Sequence, residues 1–267
     1  MAILNGVDVS SWQNNLNVQD LKKANYEFVI ARGGYTGYGD GRSKNKDKKF
    51  DEFYIQAKNC NMPIGVYYYS CATNEQGGIE EAQFLYENCL KDKQFEMPIY
   101  IDVEDARWQS SDRIGVTKAI IGFCKHLESL KFYSGVYASI SWFENCIETY
   151  MLEPFTKWVA AWRDIKPPFK WGGFHMWQKA NNGQINGSQI DLDEAFVVFP
   201  NIIKSAGLNG YAKDKINFVE YEVKKGDTLW GIAKKYFGEG IKYKEIQKIN
   251  NLKNELIYPG QRLRINV

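Results

Sequence analysis

Histidine is nearly absent: His126 and His175 are the two in 267 residues. A metal centre built on imidazoles therefore has little to draw on. His126 falls in a helical stretch without metal-ligand neighbours. His175, beside Met176 and Trp177 in an apolar run, reads as a structural residue rather than a base. No metal and no cofactor is called for. Cysteine is sparse and badly spaced for either bridges or clusters. Cys60, Cys71, Cys89, Cys124 and Cys146 are odd in number, scattered, and contain no CxxC. They read as reduced core thiols of a protein made in a cytoplasm.

Long apolar runs are missing too, so no membrane insertion is expected. The opening MAILNG leads directly into strand-like sequence, without a basic n-region or an apolar signal core. The expectation is synthesis in a host cytoplasm without a signal peptide, so another agent must release the protein to any substrate outside. Charge of one sign is scarce: the net charge is +2, which argues against a nucleic-acid partner. The balance is uneven, however. Residues 213–267 carry 12 Lys+Arg against 7 Asp+Glu, net +5, leaving 22 against 25, net −3, for residues 1–212. A basic C-terminal piece suits an anionic surface such as a bacterial wall, and solvated lysines are the plainer reading.

Aromatics are abundant, at 15% with 17 Tyr and 8 Trp. That suits a sugar-stacking groove and equally an ordinary core. The length exceeds one average domain and allows a sizeable core. The stretch that organises the chain is MPIYIDVEDAR, residues 97–107. Pro98 can open a strand but not sit inside one, and residues 99–103 then read as a buried β-strand. Residues two apart on a strand share a face, so Asp102 and Glu104 point the same way, roughly 7 Å apart along the chain, and Asp105 the other. Two carboxylates on one face at the end of an apolar strand are costly to bury. Crowding lets one keep its proton near neutral pH. It can then protonate a leaving oxygen while an ionised neighbour stabilises a cationic transition state, as glycoside hydrolysis requires. An acidic strand end or a metal site are the plainer readings of the same residues.

Elsewhere strands are expected at residues 3–9, 28–31, 63–70, 132–138, 157–162, 174–178 and 190–193. Helices are expected at 18–24, 48–60, 77–89, 113–130 and 141–150. The glycine-rich ARGGYTGYGDGR has no phosphate-loop lysine at the right spacing and is not read as a nucleotide site. Strand and helix alternate to about residue 150, and short strands dominate afterwards. This predicts an α/β protein, a parallel barrel whose last part has lost its helices, with reactive groups at the C-terminal strand ends. Asp8, Tyr67, Asp102, Glu104, Tyr137 and Trp162 occupy such ends.

The segments GVDVSSWQ, PIGVYYYS, IYIDVED, GVYAS, WVAAW, HMWQ and QIDLDEAF, in this order, resemble glycoside hydrolase family 25, the Chalaropsis-type lysozymes. The resemblance spans roughly residues 3–200. It implies an irregular eight-stranded β/α barrel with an acidic groove. The implied activity is an N-acetylmuramidase cleaving the β-1,4 bond from N-acetylmuramic acid to N-acetylglucosamine. By the same resemblance Glu104 is the general acid, Asp102 its carboxylate partner, and Asp8 and Asp191 further groove carboxylates. Tyr67, Tyr137, Trp162 and Trp177 are substrate-binding positions, with Trp162 standing where many relatives have tyrosine. Whether a carboxylate or the substrate's N-acetyl group attacks the anomeric carbon stays open.

After residue 201 the composition turns polar. KSAGLNGYAKDKIN reads as a linker, giving expected boundaries of 1–203 for the barrel, 204–219 for the linker and 220–267 for a second domain. There, YEVKKGDTLWGIAKKYFG and NNLKNELIYPGQRLRIN form a βααβ pattern that resembles a LysM domain. That resemblance implies binding of N-acetylglucosamine-containing glycan. The implied contacts are Gly226, Asp227, Thr228 and Leu229 in one loop, and Leu256, Ile257 and Tyr258 in the other. Trp230 is expected in the small core. Together these readings describe a peptidoglycan hydrolase of the phage endolysin type, with peptidoglycan strands as partner and a holin-type hole as exit. The alternatives are a catalytically silent wall-binding adhesion protein and a chitin-directed glycosidase.

Overall fold

The computed structural model describes residues 3–37, 42–105, 112–213 and 218–266. Part of the glycine-rich loop, Ala106 and Arg107 of the acidic stretch, and part of the expected linker lie outside them. Two compact units result, Met1–Lys213 and Asp214–Val267.

In the first unit the strands are β1 Leu4–Val9, β2 Phe28–Thr36, β3 Lys44–Lys46, β4 Ile64–Tyr69, β5 Ile99–Asp102, β6 Ser134–Ser139, β7 Thr156–Ala160, β8 Met176–Ile185 and β9 Ser188–Ala195. Between and after them run helices α1 Val18–Lys23, α2 Phe50–Asn59, α3 Glu75–Leu85, α4 Arg113–Ser129, α5 Ile140–Asn145 and α6 Phe199–Ala206. The sheet order is β1-β9-β8-β7-β6-β5-β4-β2-β3, and β1 also pairs with β2. Eight strands therefore close a barrel, with β3 hung on β2 outside the ring. Every ring pairing is parallel except the two made by β9, which runs antiparallel to both β8 and β1. Residues Asn186 and Gly187, both at positive φ, turn β8 into β9. An Asn-Gly pair adopts that conformation readily.

Alternation along each strand sorts side chains between two cores. Val7, Val9, Ile99, Ile101 and Val136 face outward against the helices. The apolar stripe of α4, Val116, Ile120, Phe123, Cys124 and Leu127, recurs at helical spacing and meets them. Inside the ring lie Phe28, Tyr100, Tyr137, Trp158 and Met176. Gly6 must be glycine here, since a Cβ would fall 2.4 Å from the Phe28 ring. Phe199 and Ile203 of α6 join the same inner cluster, with Phe199 packed edge-on to Tyr133 just before β6. The helix thus closes the end of the barrel opposite the C-terminal strand ends.

The expected linker start at residue 204 is corrected by this arrangement. Helix α6 runs to Ala206, and the chain stays on the barrel beyond it. Asn209 is wholly buried, accepting from the Tyr133 amide at 2.7 Å and donating to the Met97 carbonyl at 3.0 Å. Tyr211 donates its hydroxyl to Glu96. The polar composition that suggested a tether belongs to side chains satisfying barrel backbone.

The second unit contains β10 Phe218–Glu222, α7 Leu229–Phe237, α8 Tyr243–Ile249 and β11 Arg262–Asn266, with β10 and β11 antiparallel. Thr228 caps α7 by accepting from the Gly231 amide at 3.0 Å. Val223, Leu229, Ile232, Ala233, Ile246, Leu263 and Ile265 form its core.

Candidate active site

Asp8 stands near the end of β1, opposite Asp191 of the antiparallel β9. Directly opposed residues share a face, so both carboxyls point into the barrel mouth. Asp102 ends β5 between Tyr69 of β4 and Tyr137 of β6, and Glu104 follows two residues later. The four carboxyls expected from the sequence are therefore brought to one end of the barrel. A fifth, Asp193, lies two residues from Asp191 on the same face, 1% exposed. It was not singled out, although the face-sharing argument applied to Asp102 and Glu104 holds equally for Asp191 and Asp193.

Gln178 is the other residue missed. It lies on β8 and is 3% exposed. Its Nε2 donates to Asp8 Oδ2 at 2.7 Å, while its Oε1 accepts from the Tyr137 hydroxyl and from Trp162 Nε1, each at 3.0 Å. Consecutive strand residues face opposite ways, so Trp177 must point outward where Gln178 points in. It does. Trp177 is buried in the outer core with Nε1 donating to the Ala161 carbonyl at 2.8 Å. Trp177 is thus corrected from substrate contact to core residue. The inward tryptophan is Trp158, whose ring lies 4.3 Å from that of Tyr137 and whose Nε1 donates to Asp193 Oδ1 at 2.9 Å. Trp162, by contrast, is 61% exposed at the rim.

Burial dominates the electrostatics. It pushes Asp8, Asp102 and Asp193 well above the usual carboxylate range, and neighbouring carboxylates push them further. Asp102 Oδ1 has no hydrogen-bond partner among the described residues. Native structures rarely leave such an atom idle away from a functional site. Burial also lifts Glu104 to about 7 and Asp191 to about 6, with the Ser139 amide hydrogen-bonding Glu104 against that trend. Glu104 can therefore hold a proton near neutrality while Asp191 is already ionised. That is an acid beside an anion.

A groove of about 1100 Å³ opens at this end, lined by Asp8, Asp191, Tyr67, Tyr69, Trp162 and Trp12 among others. Trp12 is 83% exposed, a flat apolar face beside two acids. Arg32, on the same wall, is held by Asp47 at 2.7 Å. Among the described residues no trio of histidine, cysteine or carboxylate side chains is set to hold a metal ion. His175 donates its backbone amide to the Lys157 carbonyl, and burial beside Lys157 and Lys166 lowers its pKa. His126 meets Gln83 at 2.7 Å on the helical layer.

The family model described as "Glycosyl hydrolases family 25" matches residues 7–188. The chain belongs to this family. A LysM domain model matches residues 221–266. Similar proteins include the autolytic lysozyme of Clostridium acetobutylicum, 24% identical over 193 residues, which are 72% of this chain and 55% of that protein. A probable N-acetylmuramidase of Lactococcus lactis is 58% identical over 43 residues, 16% of this chain and 9% of that one. The N-acetylmuramoyl-L-alanine amidase sle1 of Staphylococcus epidermidis is 39% identical over 71 residues, 26% and 21% of the two chains. The chain thus matches about a fifth of sle1 and about half of the autolytic lysozyme. The same barrel occurs in the CTP1L endolysin structure, with TM-score 0.65, 22% identity, and 76% and 70% of the two chains covered. It also occurs in the bacterial lysozyme of Streptomyces coelicolor, with TM-score 0.63, 19% identity, and 79% and 97% covered.

Outside its family 25 barrel the chain carries the LysM unit, where side chains divide between support and surface. Asp227 accepts from the Tyr221 hydroxyl at 2.7 Å and the Lys224 amide at 2.8 Å. Leu229 is core. Asp227, Thr228 and Leu229 thus use their side chains to build the loop. Gly226, at φ +92, supplies the turn. Leu256 and Tyr258 are exposed, and Ile257 packs partly against the core. Trp230, expected in that core, is half exposed, its ring against Gly240 and 6.1 Å from Tyr243.

Proposed function

We propose that this family 25 protein hydrolyses peptidoglycan as an N-acetylmuramidase, cutting the β-1,4 bond between N-acetylmuramic acid and N-acetylglucosamine. Glu104 acts as general acid, donating its proton to the leaving sugar oxygen. Asp102, Asp8 and Asp191 supply negative potential for the oxocarbenium-like transition state. Tyr67, Tyr137 and Trp162 offer aromatic faces and a hydroxyl to the sugar rings, with Trp162 the most open of the three. The observation that carries this reading is Glu104 lifted to about 7 at the barrel end where the buried carboxyls gather and a sugar-sized groove opens beside Asp8 and Asp191. An adhesion protein has no need for such an acid.

The LysM unit, with Leu256, Ile257, Tyr258 and the backbone of residues 226–229, serves to hold the enzyme on N-acetylglucosamine-containing strands. Cys60, Cys71, Cys89, Cys124 and Cys146 all keep their thiols, without a disulfide among them. Among the described residues no helix is long and apolar enough to cross a membrane. Both facts fit an enzyme made in a reducing compartment and let out to the wall by a separate lysis protein, as an endolysin is. Mass spectrometry of fragments released from purified peptidoglycan tests the bond. Muramic acid at the new reducing ends supports the proposal, and N-acetylglucosamine there refutes it.

A further inference from the structure

Of the five carboxyls gathered at this end of the barrel, Asp193 is the one that the proposed reaction leaves without a task. Its Oδ1 accepts the Trp158 indole N–H at 2.9 Å. Its Oδ2 is buried and has no donor among the described residues. Yet the side chain lies within hydrogen-bond reach of Asp8, whose Oδ2 already takes the Gln178 amide at 2.7 Å. Two carboxyls that meet away from water cannot both be ionised, because neither anion can donate to the other. A proton must lie between them.

Its place follows from the surroundings. Asp8 opens on the groove and holds an amide donor, so a charge there is partly solvated and hydrogen-bonded. Asp193 sits deeper, opposite Gly6 and Gln178 in the strand register, against the Trp158 indole. Tyr100 of β5, Tyr137 of β6, Asp8 of β1 and Asp191 of β9 are the titratable groups that face it, every one of them an acid. A charge on Asp193 would be the worse solvated of the two.

We propose that Asp193 is a proton-carrying positioning residue, a neutral carboxylic acid whose hydroxyl donates to Asp8 and keeps that carboxylate ionised and fixed at the groove floor. The role rests on the hydrolase reading, since it supports the potential that Asp8 offers the transition state. No proton leaves Asp193 in the cycle, and the pair titrates as a unit.

The test compares Asp193→Asn with Asp193→Ala in the full chain. Asparagine reproduces the protonated acid, with an oxygen for Trp158 and an N–H for Asp8. Asp193→Ala removes the donor, and clearing of wall suspensions should fall roughly tenfold or more, through kcat rather than KM. Asp193→Asn should restore most of that loss. A second readout follows the proton itself. The folded chain keeps on Asp193 a proton that the unfolded chain releases above about pH 4. That proton favours folding at low pH and loses its benefit as pH rises. The barrel of Asp193→Asn should therefore melt with wild type near pH 4, and above it by roughly 3 °C per pH unit towards neutrality.

Activity of Asp193→Asn as low as that of Asp193→Ala, or a melting gap that ignores pH, overturns the proposal. So does a chain in which Asp8→Asn is benign and Asp193→Asn is not, since the proton then resides on Asp8. If Asp193→Ala fails to fold, the Asp193→Asn comparison with wild type decides alone. If wild type fails to cut peptidoglycan, the hydrolase reading falls while the melting comparison still locates the proton.

Discussion

Gln178 Nε2 stands 2.7 Å from Asp8 Oδ2, a contact between residues 170 positions apart in the chain. Because the same side chain accepts from Tyr137 and Trp162, its amide can sit only one way round, with nitrogen towards the carboxylate. Gln178→Leu would leave Asp8 and the Tyr137 hydroxyl short of a partner in a buried site. Each such loss costs roughly 1–3 kcal/mol. We expect a lower melting temperature and slower wall clearing together. Gln178→Glu should be worse, since it adds a carboxylate to a cluster that already holds five carboxyls. Wild-type melting and clearing in both variants would show that the contact positions nothing.

The acid sets the pH window. Glu104 is lifted to about 7 and Asp191 to about 6. Activity on soluble wall fragments should peak between them, falling above 7 as Glu104 loses its proton and below 6 as Asp191 gains one. Asp191→Asn should flatten the acid limb of that profile. Glu104→Gln should lower the rate about 10²–10⁴-fold, the usual worth of general acid catalysis. The same substitution should stabilise the barrel. Glu104 has a raised folded pKa, so its contribution to stability is present below its unfolded value near 4.3 and is lost as pH rises through 7. Glutamine escapes that loss, a gain on the order of 3–4 kcal/mol above pH 7 and none near pH 4. Calorimetry of the two proteins at pH 4 and pH 8 reads the difference, and a gap equal at both values would remove Glu104 from the role.

Two tryptophans fifteen residues apart should fail in opposite ways. Trp162 is 61% exposed at the groove rim, so Trp162→Ala should leave the melting temperature almost unchanged and raise KM. Losing one aromatic stacking face is worth roughly 0.5–1.5 kcal/mol, about three- to tenfold in KM. Trp177 is buried in the outer core, so Trp177→Ala should cost roughly 3–5 kcal/mol of stability. Substrate affinity of whatever remains folded should be little altered. Melting curves and Michaelis constants for the pair separate the two effects.

The distinction between these tryptophans marks where the sequence was readable and where it was not. Strand and helix alternation, apolar strand cores and acids at strand ends are local patterns, and the barrel with Asp8, Asp102 and Glu104 at one mouth follows from them, whereas Asp191, in the middle of the reversed β9, is reached only through the family resemblance. Which face a strand residue takes depends on register with neighbours far along the chain. The family resemblance points to Trp177 as a substrate contact, whereas the pleat allows only one of Trp177 and Gln178 inside, and it is Gln178. The reversed β9 could not be read from alternation, although the Asn186–Gly187 pair between Ile185 and Ser188 is a hairpin signal. Helix α6 and Asn209 were hidden by polar composition. Their partners, the Met97 carbonyl and the Tyr133 amide, lie some 75 to 110 residues upstream.

That last point gives the module boundary a test. A chain ending at Lys213 keeps all of α6, Asn209 and Tyr211, so it should melt like the barrel of the full protein and cut soluble wall fragments at the full rate. A chain ending at residue 203 loses part of α6 and the two buried bonds of Asn209, exposing the Met97 carbonyl and the Tyr133 amide at the closed end of the barrel. At roughly 0.5–1.5 kcal/mol per net hydrogen bond, plus the apolar contacts of Leu208 and Tyr211, it should be several kcal/mol less stable. Both should attack intact walls poorly, because the LysM unit that raises the local concentration of enzyme on its substrate is gone. The nature of that tether is read by salt. Residues 213–267 carry net +5, and attraction of such charges to an anionic wall fades near 1 M salt, where screening shortens to about 3 Å. Hydrogen bonds from the loops at 226–229 and 256–258 to N-acetyl amides do not fade in that way. Part of the binding of the full chain should therefore survive high salt and yield to N-acetylglucosamine oligomers. Complete release by salt, with indifference to the oligomers, would make the second unit an electrostatic anchor instead of a glycan-binding domain.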